Sequence, residues 1–600
     1  MRVVDHFAPV RWRRPLLLVA SGLLALYAGF VAFSASECEA LVRRVGYGWT
    51  LALLAGLAWA LRGAVRERGG WRPAWAAVRP DRGSAVLILF VWLWLLRMDS
   101  PGYKVLYDEP VQAATAYTLH TEREFSTTAR AFTVGGLFTI LQTYVDKRPP
   151  VFPVLVSLVH DLTGYRPGNA LAVNAIGALA LVWLVWWMGR RVGAGAPAGR
   201  AALALLATIP IVGINVTSLG MDLINLTVLA AWTAAVMLYL ARASASRLAL
   251  LAAITLVLAY CRYESVLYVG VTGLVWLVVA WRDRQWRWEP VLAVVPLALL
   301  LYAWHNTMLS SRPELWELRP EQTQRFSLAY AANNLSHAWA FFFTPGWRLP
   351  NSPLLAVLGV AGGLATLAAW RRCRDEELAL GALALGALSN LGLVICYYWG
   401  ELDDPIVSRL SLPAYLVLIL AVVSGWRLVA ARLAVASGWR PIQVVAVLAL
   451  VVFTVPNVAA DLTTVPNLVR RNYEWESRVV NAHWPKPGLL IANRATMCWL
   501  AEGLPAITIE RARAREALVA WHLDHHSFGT VLVLQRVVTL GGGGGWQVDA
   551  GEQVPAHWQM EEVAVKRIGL TLTRISRVVA IPPSAVVRAQ HPVSGEDSRL

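Results

Sequence analysis

The stretch SAVLILFVWLWLLRMDSPGYKVLYDEP, Ser84 to Pro110, decides how the chain is read. From Ser84 to Met98 it is almost wholly apolar, and two adjacent carboxylates, Asp108 and Glu109, follow shortly after. An acidic pair beside such a run is either a solvated loop decoration or a catalytic feature held at the membrane surface. Runs of the same kind recur, among them Pro15 to Phe33 and Pro441 to Ala460. They approach the roughly 20 residues that cross a bilayer. Of 600 residues, 57% are hydrophobic and only 15% charged, with a mean hydropathy of +0.50. Soluble domains rarely carry so much apolar sequence, so the chain reads as a polytopic membrane protein. The first run follows RWRR (Arg11 to Arg14) and has no small-residue cleavage site ahead of a soluble domain. It is expected to be a retained helix rather than a signal peptide.

Basic residues orient the spans. RWRR starts inside, a helix near 15–33 exits, and one near 47–63 returns to the basic loop LRGAVRERGGWRPAWAAVRPDRG. The helix near 84–98 then exits, which puts Asp108 and Glu109 on the outer side. PVLVSLVHDL is short for a span and is expected to be a partial or surface helix on that side. Further spans are expected near 168–190, 200–218, 222–241, 248–261, 263–281, 290–308, 352–370, 376–398, 409–430 and 440–459. The clusters ARASASR, RDRQWR and RRCR all fall inside on this count. The fold expected is an all-α polytopic membrane protein of about thirteen transmembrane helices with a small α/β domain after it. In the latter, GLLIANR, AITIE and GTVLVLQRV read as buried strands, alternating with the helix-like TMCWLAEG and ARAREALVAWHLD. The domains are therefore two leading helices with a basic loop (1–83), a membrane domain with outer loops 99–167 and 310–351 (84–460), and an extracytoplasmic domain (461–600).

The net charge of +16 does not mark a nucleic-acid binder, because most of the charge lies in short loops between apolar runs. Five cysteines form no disulfide framework; Cys38 and Cys498 are the one pair to weigh. Gly541 to Gly545 lacks the strand–GxGxxG–helix setting of a nucleotide fingerprint and reads as a loop tip. In WHLDHH, His522 and His526 share a helix face, but no third ligand accompanies them, so a helix end is preferred to a metal site.

Taken by themselves, the charged residues leave alternatives open. Asp108 ahead of Pro110 suits a helix start, where a capping carboxylate stays ionised. A general base also needs an ionised carboxylate. Glu109 is either a partner in that role or a solvated first-turn residue. Lys147 and Arg148 are loop charges or a phosphate grip, and Arg can hold phosphate oxygens in bidentate fashion. Arg262 is flanked by apolar sequence and needs a partner or a wet cavity; Glu264 is the nearby candidate. Arg409 follows ELDD and could pair with Asp403 or Asp404. Asp222 opens a span and reads first as a helix cap. The loop SSRPELWELRPEQTQRF suits sugar contacts and equally an interfacial helix.

The order of these motifs resembles the GT-C class of integral-membrane glycosyltransferases, close to the protein mannosyltransferase and aminoarabinose transferase group. YDEP stands where that class carries an acidic motif in its first large outer loop. KRPPVFPVLVSLVHDLTGYRPGNAL matches its basic residue and PP, AYCRYESVL its basic turn, and SRLSLPAYLVL its late Arg. The resemblance covers roughly 84–460; two extra helices precede it. It implies an inverting transferase of a hexosyl or pentosyl group from a polyprenyl-phosphate sugar to a glycan, lipid or protein acceptor. Asp108 would be the base, with Glu109 assisting. Lys147, Arg148, Arg262 and Arg409 would hold the donor phosphate, with Asp222 and Glu264 in support. No cofactor, metal or nucleic acid is implied. The setting would be a bacterial-type cytoplasmic membrane, with the site on its outer side. A glycan polymerase or ligase using a lipid carrier and a flippase of lipid-linked sugars are the competing classes; the latter predicts internal repeats, and none is clear.

Overall fold

A computed structural model describes residues 8–582, except 106–107, 135–136, 314–315, 317, 319–321, 323, 347–348, 370–373, 433–437, 462–464, 485–487, 494–495, 540–545 and 570. The Gly541 to Gly545 tip and most of RRCR lie outside the described residues. The chain forms two compact units, 1–127 with 145–466, and 128–144 with 467–600.

The first unit is a helical bundle. Among the described residues, eight helices are long and apolar enough to cross a membrane, and one bent pair would make a ninth span. Five shorter apolar helices join them, at Arg14–Phe30, Arg82–Leu95, Val151–Thr163, Ala245–Ala259 and Pro353–Ala368. All but Val151–Thr163 fall where a span is expected, and that one is the short helix anticipated on the outer side. The second helix runs from Ala35 to Glu67, well before its expected start. Ser34 and Glu37 form a reciprocal capping box that satisfies its first turn and fixes that start.

The span expected at 200–218 is instead broken into Ala196–Leu206 and Pro210–Val216, bent by 80°. Pro210 has no N–H and steers the residue before it away from helix, and Ile209 is extended. The loop expected at 310–351 contains a helix, Ala331–Phe343.

Asp222–Ala241 is buried along nearly its whole length and apolar all round, so it packs on every side. Where Pro353–Ala368 crosses Leu412–Arg432, Gly362 and Gly425 let the backbones touch; a Cβ on either would strike the other helix. Close approach between small residues is how helices associate where lipid removes the hydrophobic drive.

The second unit is an α/β layer. Gly488–Ala492 pairs in parallel with Ala506–Ile507 and with Thr530–Thr539. The helices Thr496–Ala501, Ile509–Ala514 and Glu516–Asp524 intervene as the alternation predicts. Two long strands that were not anticipated, Gln559–Ile568 and Thr571–Ala580, extend the sheet antiparallel. The hairpin Thr127–Val134 and Leu137–Tyr144, although inserted between Asp108–Thr121 and Val151–Thr163, contributes residues to this unit. Its Phe132 packs on Phe528 and His522, with ring centroids 5.4 and 5.8 Å away. His522 is thus a packing residue near a helix end, and no metal-holding cluster forms among the described residues. Cys38 is a buried free thiol, so the bond weighed with Cys498 is not formed.

Candidate active site

Five segments bring charge to one end of the bundle. The helix Asp108–Thr121 opens on the acidic pair, and Asp222 opens Asp222–Ala241. Arg262 precedes the turn Tyr263–Val266, and Arg409 lies in the turn Val407–Ser411 that leads into Leu412–Arg432. The segment 145–150 supplies Asp146 and Arg148. Basic residues close the last turns of Ala35–Glu67, Asn169–Val192, Leu267–Arg282 and Leu412–Arg432. Cations there are favoured by the helix dipole.

The acidic and basic side chains form one alternating chain. Arg148 binds Asp146, Nη1 to Oδ1 at 2.6 Å, and donates its backbone N–H to the same carboxylate at 3.0 Å. Its other nitrogen reaches Asp108. Arg409 bridges Asp108 and Asp222, the latter at 3.3 Å. Arg262 binds both Asp222 and Glu264. Four carboxylates thus alternate with three guanidiniums. Arg148 is 4% exposed while Asp108 keeps 19% of its side chain accessible, so Asp108 is the open member of its pair. Burying such charges is tolerable only because each has a partner; removing one would strand another.

Several expectations change here. Asp222 does not cap its helix; the residue before the helix is Met221, and the Asp222 carboxylate is taken by arginines. Asp404 accepts from the N–H groups of Ile406 and Val407 at 2.7 and 3.2 Å, and Asp403 pairs with His337 at 2.8 Å. Neither serves Arg409. Glu109 is no solvated residue: it is buried, and its Oε2 accepts from the N–H groups of Lys104 and Leu219 at 2.8 and 3.3 Å. It braces two loops. Burial pushes its carboxyl up to about 7 against those N–H groups and the nearby Arg409 and Lys104. For Asp108 the balance is opposite. Burial acts to raise it, but Arg148 and Arg409 outweigh burial and hold it well below the usual carboxylate range.

Lys147 lies over the Trp316 ring at 5.0 Å, and Arg325 lies near the same ring at 4.9 Å. Trp316 and Arg325, with Arg262, Tyr263, Asn390 and Tyr397, line a cavity of about 250 Å³ beside the charged chain. Asp146, Tyr263 and Tyr397 were not singled out from the sequence. Asp146 offered only a D-x-R spacing inside a loop, and the tyrosines carried no signal apart from their apolar neighbours.

No protein-family model matches the chain, and no curated protein matches it. Among solved structures it is similar to ArnT from Cupriavidus metallidurans, both bound to undecaprenyl phosphate and in the apo state. Each alignment has a TM-score of 0.49 and 14% identity, covering 82% of this chain and 97% of that one. Identity this low assigns no residue a role.

Proposed function

We propose that the protein is an inverting glycosyltransferase that moves a hexosyl or pentosyl group from a polyprenyl-phosphate donor to a glycan, lipid or protein acceptor. The observation that carries this reading is the Asp108 carboxylate gripped by Arg148 and Arg409 at one end of a membrane bundle, beside a cavity. A polyprenyl tail dissolves only in the bilayer while its phosphate stays at the interface, so a site at the helix ends suits such a donor. A transporter would place its charged and broken elements near mid-membrane; here Asp222, Arg262 and Arg409 stand at helix ends. By the positive-inside rule that end faces outward, on the far side of a bacterial-type cytoplasmic membrane.

Asp108 held by two arginines is a weak base. A donor phosphate offers the guanidiniums a competing anion with more oxygens. As Arg148 and Arg409 turn to it, Asp108 loses the partners that depress it and regains basicity. It then takes the proton of the acceptor hydroxyl. The acceptor oxygen bonds the anomeric carbon from the face opposite the phosphate, and the carbon–phosphate-oxygen bond breaks. The electron pair leaves with polyprenyl phosphate, whose charge the arginines stabilise. One displacement inverts the anomeric carbon. Asp146 keeps Arg148 oriented, while Asp222 and Glu264 hold Arg409 and Arg262. Glu109 supports the loop and does not react. No cofactor or metal enters this scheme.

The reading is tested by mass spectrometry of envelope glycans and polyprenyl-linked sugars from cells with and without the gene. A polyprenyl-phosphate sugar should accumulate, and one glycan, lipid or protein should lose a sugar, when the gene is absent. Unchanged pools of both would overturn it.

A further inference from the structure

At the opposite end of the bundle, where the basic loops gather, a groove of about 500 Å³ opens between the helices Ala35–Glu67, Asn169–Val192, Asp222–Ala241 and Ala245–Ala259. That volume is in the range of small-molecule sites. Its floor includes Ala231, Ala234 and Ala235, whose small side chains leave the space, and its walls include Trp183 and Trp187. Arg68 and Arg247 line it as well. Its mouth carries Trp71 and Trp75, both more than half exposed. These two belong to the short helix Trp71–Val78, in which Ala74 and Val78 are half-buried and Val78 packs on the core, while both tryptophans stand exposed. The tryptophan side of this helix lacks cover.

The charge around the groove is unbalanced. Arg247 binds Glu67 at 3.4 Å, and Arg68, Arg242 and Arg191 crowd it with like charge. Arg191 is engaged by Glu376 at 2.8 Å. Among the described residues, Arg68 and Arg242 have no carboxylate partner. The site is therefore an apolar slot with a cationic rim and aromatic residues at its entrance.

We propose that this groove holds one anionic phospholipid. Its acyl chains fill the slot between the alanine floor and the tryptophans, and its phosphate sits on Arg68 and Arg247. The lipid supplies the apolar surface that the helix Trp71–Val78 lacks. It is not the donor in its reacting position, because the 20-residue helix Asp222–Ala241 separates the two ends by ~30 Å. Anionic headgroups gain from each nearby basic residue, whereas zwitterionic ones gain far less.

Native mass spectrometry of the full-length protein, delipidated and titrated with phosphatidylglycerol or phosphatidylcholine, tests this. One phosphatidylglycerol should bind well ahead of phosphatidylcholine. Arg68→Ala should weaken it roughly fivefold, the share of one basic residue at a membrane surface. Ala231→Phe, which fills the floor, should abolish it. If Ala231→Phe proves unstable, Arg68→Ala, at the rim, decides alone. Equal binding of both lipids, or no response to Arg68→Ala, overturns the proposal. So does displacement of phosphatidylglycerol by polyprenyl phosphate at lower concentration, which would make the occupant the carrier lipid.

Discussion

Asp108 and Arg409, 301 residues apart in the chain, meet in one ion pair at the end of the bundle. Arg409 also holds Asp222, so a single guanidinium at the start of Leu412–Arg432 joins the helices Asp108–Thr121 and Asp222–Ala241. This geometry makes Arg409 a cation that lysine does not replace. A lysine keeps the charge but is a point donor, and it cannot fork between two carboxylates or hold a phosphate in plane. Arg409→Lys should therefore insert and fold, yet raise the KM for a polyprenyl-phosphate sugar roughly tenfold, about the worth of one charge-assisted hydrogen bond. Steady-state kinetics in detergent with a defined donor would check it. An unchanged KM would reduce Arg409 to a structural strut.

Arg148→Ala separates binding from folding in another way. Among the described residues Arg148 bridges Asp146 and Asp108, so its loss strands buried charge and lowers stability, by ~3–5 kcal/mol where a buried pair is fully broken. The protein that survives should show donor use falling further than its level in the membrane. Arg148→Lys should recover level before it recovers donor affinity. Were activity to track protein level alone, Arg148 would be a loop charge and no more.

How much of this was legible follows from what each feature depends on. The membrane helices show in the sequence because apolar runs are long and local. The strand–helix alternation of 488–539 shows for the same reason. The hairpin at 127–144 does not, since its partners lie more than 300 residues away in the chain and its own polarity is mixed. Asp108, Arg148 and Arg409 could be nominated from motif order, but their mutual contacts could not. Asp222 reads first as a cap because an Asp at a helix start usually is one, and only the fold reveals two arginines facing it. Of the two readings open for Glu109, the solvated one rests on first-turn acids being usually wet, and it fails because burial here is a tertiary effect. Arg409 was given the wrong partners because Asp403 and Asp404 are near in sequence, while its true ones are distant.

Glu109 gives a pH signature. Its carboxyl is pushed from an ordinary 4.5 up to about 7 in the folded protein. Between those values the folded chain holds a proton that the unfolded chain has released, so stability falls as pH rises through that window and levels off above it. Asp108 is depressed instead; its contribution is lost only at pH below the usual carboxylate range, and it adds no slope in this window. Thermal unfolding in detergent should thus show the midpoint at pH 8 falling relative to that at pH 5 by more in the wild-type protein than in Glu109→Gln, against the opposite slope of His160, whose imidazole burial pushes down to about 4. Equal slopes in the two proteins would show that Glu109 does not titrate there.

Topology is open to direct labelling. Single cysteines at exposed positions in 101–150, 311–335 and 461–600 should react with an impermeant maleimide added outside intact cells. Cysteines at Arg62, Arg79 or Arg284 should react only after permeabilisation. Labelling of 461–600 from the cytoplasm alone would invert the bundle and remove the site from the outer face.

Asp108→Asn addresses the chemistry itself. Asn matches Asp in size, and the Asp108 side chain serves Arg148 and Arg409, so the helix Asp108–Thr121 should persist without its charge. The substitution removes the charge that occupies Arg148 and Arg409. Two effects should therefore part. Donor affinity should hold or improve, because the arginines no longer have an internal competitor for phosphate. Turnover should fall by roughly two to four orders of magnitude, the usual scale for loss of a general base. A purely structural Asp108 predicts the reverse pattern, with weaker binding or lower protein level and near-normal turnover in whatever folds. Measuring donor binding by native mass spectrometry and turnover on the same purified sample distinguishes the two, and near-normal turnover would remove Asp108 from the reaction.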